Sequence, residues 1–334
     1  MMTNRGTSGD GLGDNLVADM RYYEYKTGSM TTLASWQRLT KKQFVERVLE
    51  IASQFPCVDD DKNEDQQHVS VFVHGYNNRW EKAVTRYQQL QTELYDKQQL
   101  GQLVLFNWPS NGSPAGYLPD REDARDSAGA FAQELVDLHD HLVTMERAAA
   151  RLKDPAKRCR AKVSIIAHSM GNYVVQKALA VAARRLNSPE LITLITQLAM
   201  VAADVDNDLF QRDKAADSDG SLIANVCYRV GALYTGLDQV LGASAGLKHF
   251  GTRRLGRSGL ADRDKVWDNV FDFDVSDLIN EDDVHSAVFV SPKSLKLLEQ
   301  ILRGVDRTVL KRKTPEPQEV GASRPQGQPR PASP

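Results

Sequence analysis

Cysteine is scarce in this chain of 334 residues: Cys57, Cys159 and Cys227 stand too far apart for the paired spacings of a zinc site or a redox dithiol. A reducing compartment without structural disulfides is the expectation. Long apolar runs are missing too. The longest, residues 191–205, is broken by Thr193, Thr196 and Gln197 and falls short of the roughly 20 residues that a bilayer span needs. The opening Met1-Met2-Thr3-Asn4-Arg5-Gly6 carries no apolar stretch of the secretory type, so a cytoplasmic location is expected. Charge of one sign is also lacking. With 42 basic and 44 acidic residues the formal charge is −2, which offers no net attraction to nucleic acid or an anionic membrane. No H-E-x-x-H, glycine-rich phosphate loop or dinucleotide fingerprint occurs, and His139 and His141 are two apart rather than the four of a helical metal pair. Chemistry without a metal or cofactor is expected.

What remains is ample for a folded core. A composition of 41% apolar and 26% charged residues excludes disordered and collagen-like classes. Residues 1–14, rich in Gly, Ser, Asn and Asp, are expected to be a flexible N-terminal segment, and residues 309–334 a disordered tail with six prolines from Pro315 to Pro334. A protein partner for that tail is the less favoured reading. Between them, residues 15–308 read as one domain. Strands are predicted at 17–25, 69–74, 103–108, 163–167, 194–203, 224–234 and 266–275, and helices at 41–53, 79–100, 124–151, 172–185 and 292–303. This alternation predicts an α/β fold with a mostly parallel central sheet and helices on both faces.

Chemistry enters after the run Val163-Ser164-Ile165-Ile166-Ala167. There, Ala167-His168-Ser169-Met170-Gly171 leads into a helical pattern, which is the G-x-S-x-G strand–turn–helix motif with alanine in place of its first glycine. Small flanking residues let strand and helix approach closely, lifting the Ser169 hydroxyl above the sheet as a nucleophile. The helix N-terminus offers positive partial charge to a developing oxyanion. A serine that merely caps a helix is the plainer alternative. His168 adjoins Ser169 in sequence and is read as structural. A second signal is the strand ending Val73-His74-Gly75-Tyr76-Asn77-Asn78, roughly ninety residues upstream, where such folds place the other oxyanion donor. The backbone amides of Met170 and of Tyr76 or Asn77 are the candidate donors.

Taken with Thr3-Asn4-Arg5, Trp108-Pro109-Ser110-Asn111-Gly112, the 117–124 stretch and Arg254-Leu255-Gly256, these motifs resemble a family of α/β-hydrolase proteins of unknown function, usually described as predicted esterases or lipases. The resemblance spans about residues 1–300. It implies the α/β-hydrolase fold and a catalytic triad, and says little about substrate.

In that fold the acid and then the histidine follow the serine in chain order. Asp238, after the predicted penultimate strand, is the favoured acid, as the resemblance also implies, with Asp204 next. Asp204, Asp206 and Asp208 are otherwise read as capping a helix around Leu209-Phe210. His285, beyond the last predicted strand, is the favoured general base, whereas His249 precedes that strand and reads as a surface or packing residue. His74, Gly75, Trp108, Phe210 and Leu237 are candidate substrate-binding positions near strand ends. Residues 108–126 are a candidate lid, and the basic group around Arg254 reads as a solvated turn. The expected activity is cleavage of a small carboxylic ester or thioester through an acyl-enzyme on Ser169. A non-catalytic hydrolase-like binding module and an acyltransferase with the same residues are the alternatives.

Overall fold

In a computed structural model of the chain, which describes residues 1–56, 58, 64–152, 161–186, 193–280 and 282–313, nine strands form a single sheet. They are β1 (Met2–Ser8), β2 (Gly11–Tyr25), β3 (Trp36–Leu39), β4 (His68–Val73), β5 (Gly101–Asn107), β6 (Lys162–His168), β7 (Ile195–Val201), β8 (Cys227–Tyr234) and β9 (Val270–Asp274). The spatial order is β3-β2-β1-β5-β4-β6-β7-β8-β9. From β1 to β9 every pairing is parallel, while β2 and β3 run antiparallel at one edge. The helices are α1 (Lys41–Ser53), α2 (Trp80–Leu90), α3 (Tyr117–Leu152), α4 (Gly171–Leu186), α5 (Asp219–Val226), α6 (Gln239–Ala243), α7 (Leu255–Ser258), α8 (Pro292–Arg303) and α9 (Arg307–Lys313).

The apolar β6 run is buried along its length, as a strand covered on both faces must be. On one face Phe131 of α3, Val175 and Ala178 of α4 and Ile223 of α5 pack over Ile165, Leu198 and Val230. On the other, Val84 and Leu90 of α2 and Leu298 and Ile301 of α8 pack over Phe72, Ile166 and Phe273. Helix α8 has the bounds its sequence predicts, with Pro292 in the first turn and Gly304 closing it in the left-handed region at φ 79°. Among the described residues no helix is long and apolar enough to cross a membrane.

The structure corrects several expectations. Residues 1–14, expected to be flexible, form β1 and the start of β2; Thr3, Asn4 and Arg5 are buried although polar, and Thr3 and Arg5 donate to Asn107 at the end of β5. The predicted strand at 224–234 begins only at Cys227, since residues 219–226 close as α5. The predicted 79–100 helix ends as an α-helix at Leu90 and continues as a π-helical turn to Asp96. Of the expected 309–334 tail, residues 309–313 lie in α9 with Leu310 buried, and 314–334 fall outside the described residues. Residues 108–126 are no lid. Trp108, Ser110 and Asp120 are fully buried, and the segment is tied to the chain after β4 by Trp108 Nε1, which donates to the His74 carbonyl at 2.7 Å, and by Asp120, which accepts from Asn77 N at 3.1 Å.

Candidate active site

Between the end of β6 and the start of α4 the chain turns through Ser169, a non-glycine residue at φ 52° and 2% exposed. Left-handed backbone is costly for such a residue and persists only where the surroundings over-determine it. They do so here. Ser169 N donates to the Val201 carbonyl at 3.0 Å, the Ser169 carbonyl accepts from Asp204 N at 3.1 Å, and buried Asn172 donates through Nδ2 to the carbonyls of Ala167 and Ser169 at 3.0 and 3.1 Å. The glycines are steric necessities. A Cβ on Gly171 would lie 2.5 Å from the Val73 and His74 carbonyl oxygens, and one on Gly75 would lie 2.7 Å from Ser169 Cβ. Gly75, a candidate substrate contact, is thus the surface on which Ser169 rests.

The loop after β4 is held from behind by an arginine that sequence reasoning placed in a flexible segment. Arg5, fully buried, donates through Nε to Asn107 Oδ1 at 2.8 Å and through Nη2 to the Asn78 carbonyl at 2.6 Å, and pairs with Asp14 at 2.9 Å. Burial lowers its pKa to about 10 despite Asp14. His74 is buried, stacked on Trp108 with ring centroids 5.1 Å apart, while Trp108 Nε1 donates to the His74 carbonyl at 2.7 Å. Burial, reinforced by Arg5, pushes the His74 pKa down to about 3, so the ring is neutral. Both side chains brace the loop, and His74 also borders the larger of the two cavities at this rim. Asn77 N donates to Asp120 Oδ2 at 3.1 Å, which removes it as an oxyanion donor. The amides of Tyr76 and Met170 make no hydrogen bond among the described residues.

Asp238 and His285, the expected acid and base, are brought together: His285 Nδ1–H donates to Asp238 Oδ2 at 2.7 Å, with Asp238 fully buried. Its other oxygen, Oδ1, accepts from Leu241 N at 2.9 Å as the cap of α6. Because a carboxylate only accepts, Nδ1 carries a proton, and Nε2 is the ring nitrogen whose lone pair can take another. His168 holds the loop, donating through Nε2 to the His285 carbonyl at 3.1 Å, with ring centroids 4.9 Å apart. Burial, with His285 nearby, keeps the His168 pKa well below the ordinary histidine value.

Asp204, the alternative acid, has a different partner. Arg254, expected on a solvated turn, is fully buried and donates through Nε to Asp204 Oδ1 at 2.8 Å; Ser244 Oγ and Tyr117 OH add bonds of 2.9 and 2.7 Å. Burial opposes ionisation of Asp204, yet Arg254, Tyr117 and Ser244 outweigh it and hold its pKa below the usual carboxylate value. Asp206 pairs with the same arginine, so neither residue serves as a helix cap. His249 meets Tyr117 OH through Nε2 at 2.7 Å.

Two cavities meet at this rim, sharing Tyr76 and Val240. The larger, 590 Å³, is a polar groove reached by His285, Asn78, Lys82, Arg86 and Asp283. The smaller, 220 Å³, is reached by Ser169, Tyr117, Leu241, Ser244 and Lys248. Phe210 is buried in the core and Leu237 is 57% exposed, and neither borders these cavities. Lys82, Arg86, Tyr117 and Lys248 were missed by sequence reasoning because none belongs to a pattern that marks catalytic chemistry. Only Tyr117 had a signal, at the start of the 117–124 stretch.

Residues 52–305 match the family model described as alpha/beta hydrolase of unknown function (DUF900). No curated protein sequence matches the chain. Among solved structures, an esterase of Pyrobaculum calidifontis is 11% identical with a TM-score of 0.36, over 72% of this chain and 77% of that one. Lipase B of Aspergillus fumigatus is 12% identical with a TM-score of 0.39, over 81% and 61%. Phospholipase PlaB of Legionella pneumophila, in complex with thio-NAD, is 14% identical with a TM-score of 0.37, over 74% and 60%.

Proposed function

The chain belongs to the alpha/beta hydrolases of unknown function, and from that membership we propose that it is a serine hydrolase acting on a carboxylic ester or thioester. One observation carries the reading: the bond of 2.7 Å between His285 Nδ1 and buried Asp238, at the rim where Ser169 stands on its left-handed turn. Ser169 Oγ attacks the acyl carbonyl carbon while His285 Nε2 takes the hydroxyl proton. Asp238 holds the imidazole in the required tautomer and stabilises the imidazolium. The amides of Met170 and Tyr76 receive the oxyanion, assisted by the N-terminus of α4. Collapse of the tetrahedral species breaks the bond to the leaving oxygen or sulfur, which takes the proton from His285. Water, deprotonated by His285, then attacks the acyl-enzyme and releases the acid and free Ser169.

His168 acts through His285 by fixing the carbonyl of that loop, and Arg5 acts through the Tyr76 loop. The polar groove of 590 Å³ beside His285 suits the leaving group, because that histidine must reach the leaving atom. A fluorophosphonate probe tests the proposal. One adduct by intact mass on the wild type, absent from Ser169→Ala, is the expected outcome; equal labelling of both proteins, or none, counts against it.

A further inference from the structure

Ser169 borders a chamber of 220 Å³ walled by Tyr76, Tyr117, Val240, Leu241 and Lys248, smaller than the roughly 300 Å³ at which pockets for drug-sized ligands begin. A short acyl group is enough to fill that space. The Lys248 ammonium lies 3.7 Å from the centroid of the Tyr117 ring and 5.6 Å from that of Tyr76. It has no ion-pair partner among the described residues. Asp204, which also borders the chamber and acts electrostatically on Lys248, is paired at closer range with Arg254 at 2.8 Å, and its oxygens are filled by Ser244 and Tyr117. Its negative charge therefore does not exclude an anion. A lysine ammonium held against aromatic faces and still free to donate is a ready partner for a carboxylate.

We propose that this chamber is the acyl subsite and that Lys248 reads a carboxylate at the far end of a short acyl group, so that the preferred substrates are half-esters or half-thioesters of short dicarboxylic acids. The inference rests on the serine-hydrolase reading for its catalytic consequence, while the binding site stands on the geometry alone. Turnover of the 4-nitrophenyl monoester of glutaric acid is compared with that of the 4-nitrophenyl ester of pentanoic acid, which has the same leaving group and no charge. The expected result is a kcat/KM about tenfold or more higher for the charged ester, the size of a hydrogen bond to a charged group. The preference should be carried mainly by KM, be lost in Lys248→Met and be regained in Lys248→Arg. No preference in the wild type, or one that survives Lys248→Met, overturns the proposal.

Calorimetric titration of glutarate into Ser169→Ala needs no turnover. Saturable binding that Lys248→Met removes supports the subsite even if no ester is hydrolysed, in which case the serine-hydrolase reading fails and the anion site stands. Absence of glutarate binding, with neutral esters still hydrolysed, rejects the anion site and leaves the hydrolase reading intact.

Discussion

Two aspartates follow neighbouring parallel strands at the same sheet edge, Asp204 beyond β7 and Asp238 beyond β8, and both are buried. Their partners differ. Asp204 faces Arg254, a permanent cation that never returns a proton, and is further saturated by Tyr117 and Ser244. Asp238 faces the His285 imidazole, whose Nδ1 lies 2.7 Å from its Oδ2. Burial alone thus does not distinguish the two carboxylates; the partner does. One is tied to a buried guanidinium, the other to an imidazole that borders a cavity, and only the second arrangement fits the acid of the proposed triad.

The contrast breaks most sharply by removing each charge in turn. Asp238→Asn should lower kcat by about 10⁴-fold, because the amide favours the wrong imidazole tautomer, with little change in the urea midpoint. Asp204→Asn should do the reverse, losing about 1–3 kcal/mol of unfolding free energy because buried Arg254 loses its buried partner and keeps only half-exposed Asp206. Paired ester assays and urea titrations separate the two, and equal effects on both readouts in both variants would dissolve the distinction.

Acid sharpens it further. His68 and His74 are each pushed down to about 3, first of all by burial, whereas an unfolded histidine titrates near 6.5. Below pH 6.5 the unfolded chain therefore binds protons that the native state refuses. Stability present above that pH is lost as pH falls towards about 3, by about 1.4 kcal/mol per pH unit for each histidine. The depressed Asp204 acts in the same sense, its contribution disappearing as pH falls through its folded pKa. Urea titrations at pH 7.0, 6.0 and 5.0 should give progressively lower midpoints; a flat series would refute neutral burial of these rings. The smallest expected effect is that of Gly75→Ala, whose Cβ would meet Ser169 Cβ at 2.7 Å. It should cost about 1–3 kcal/mol of stability and slow ester turnover by displacing the serine, as a urea titration beside a kcat measurement would reveal.

Much of this was legible in the chain. The alternation of β-branched runs with amphipathic segments reads as a parallel α/β sheet, and the Ala167–Gly171 turn reads as a strand–turn–helix, although its serine is buried rather than exposed. Asp238, with Asp204 as the alternative, and His285 were expected from chain order, from their places after predicted strands and from the family resemblance, and the structure brings Asp238 and His285 within 2.7 Å. What escaped were the buried arginines. Arg5 lies in a polar stretch that looks unstructured, and Arg254 in a basic cluster that looks solvated; each is drawn inside by partners distant in sequence, Asn107 for one and Asp204 for the other. Trp108 and Phe210 misled in the opposite direction, since an aromatic near a strand end packs inward as readily as it lines a pocket.

The sequence by itself determined the local devices: the strand and helix periods, the glycines that permit close approach, and the order of serine, acid and histidine. These depend on short-range sterics and side-chain period, which a linear pattern records. Only the tertiary structure decided which carboxylate meets the histidine, which amide remains free beside Ser169, and how small and how charged the chamber next to it is. Those outcomes depend on strand order and on which loops the sheet edge brings into contact, and the partners lie tens to hundreds of residues apart along the chain.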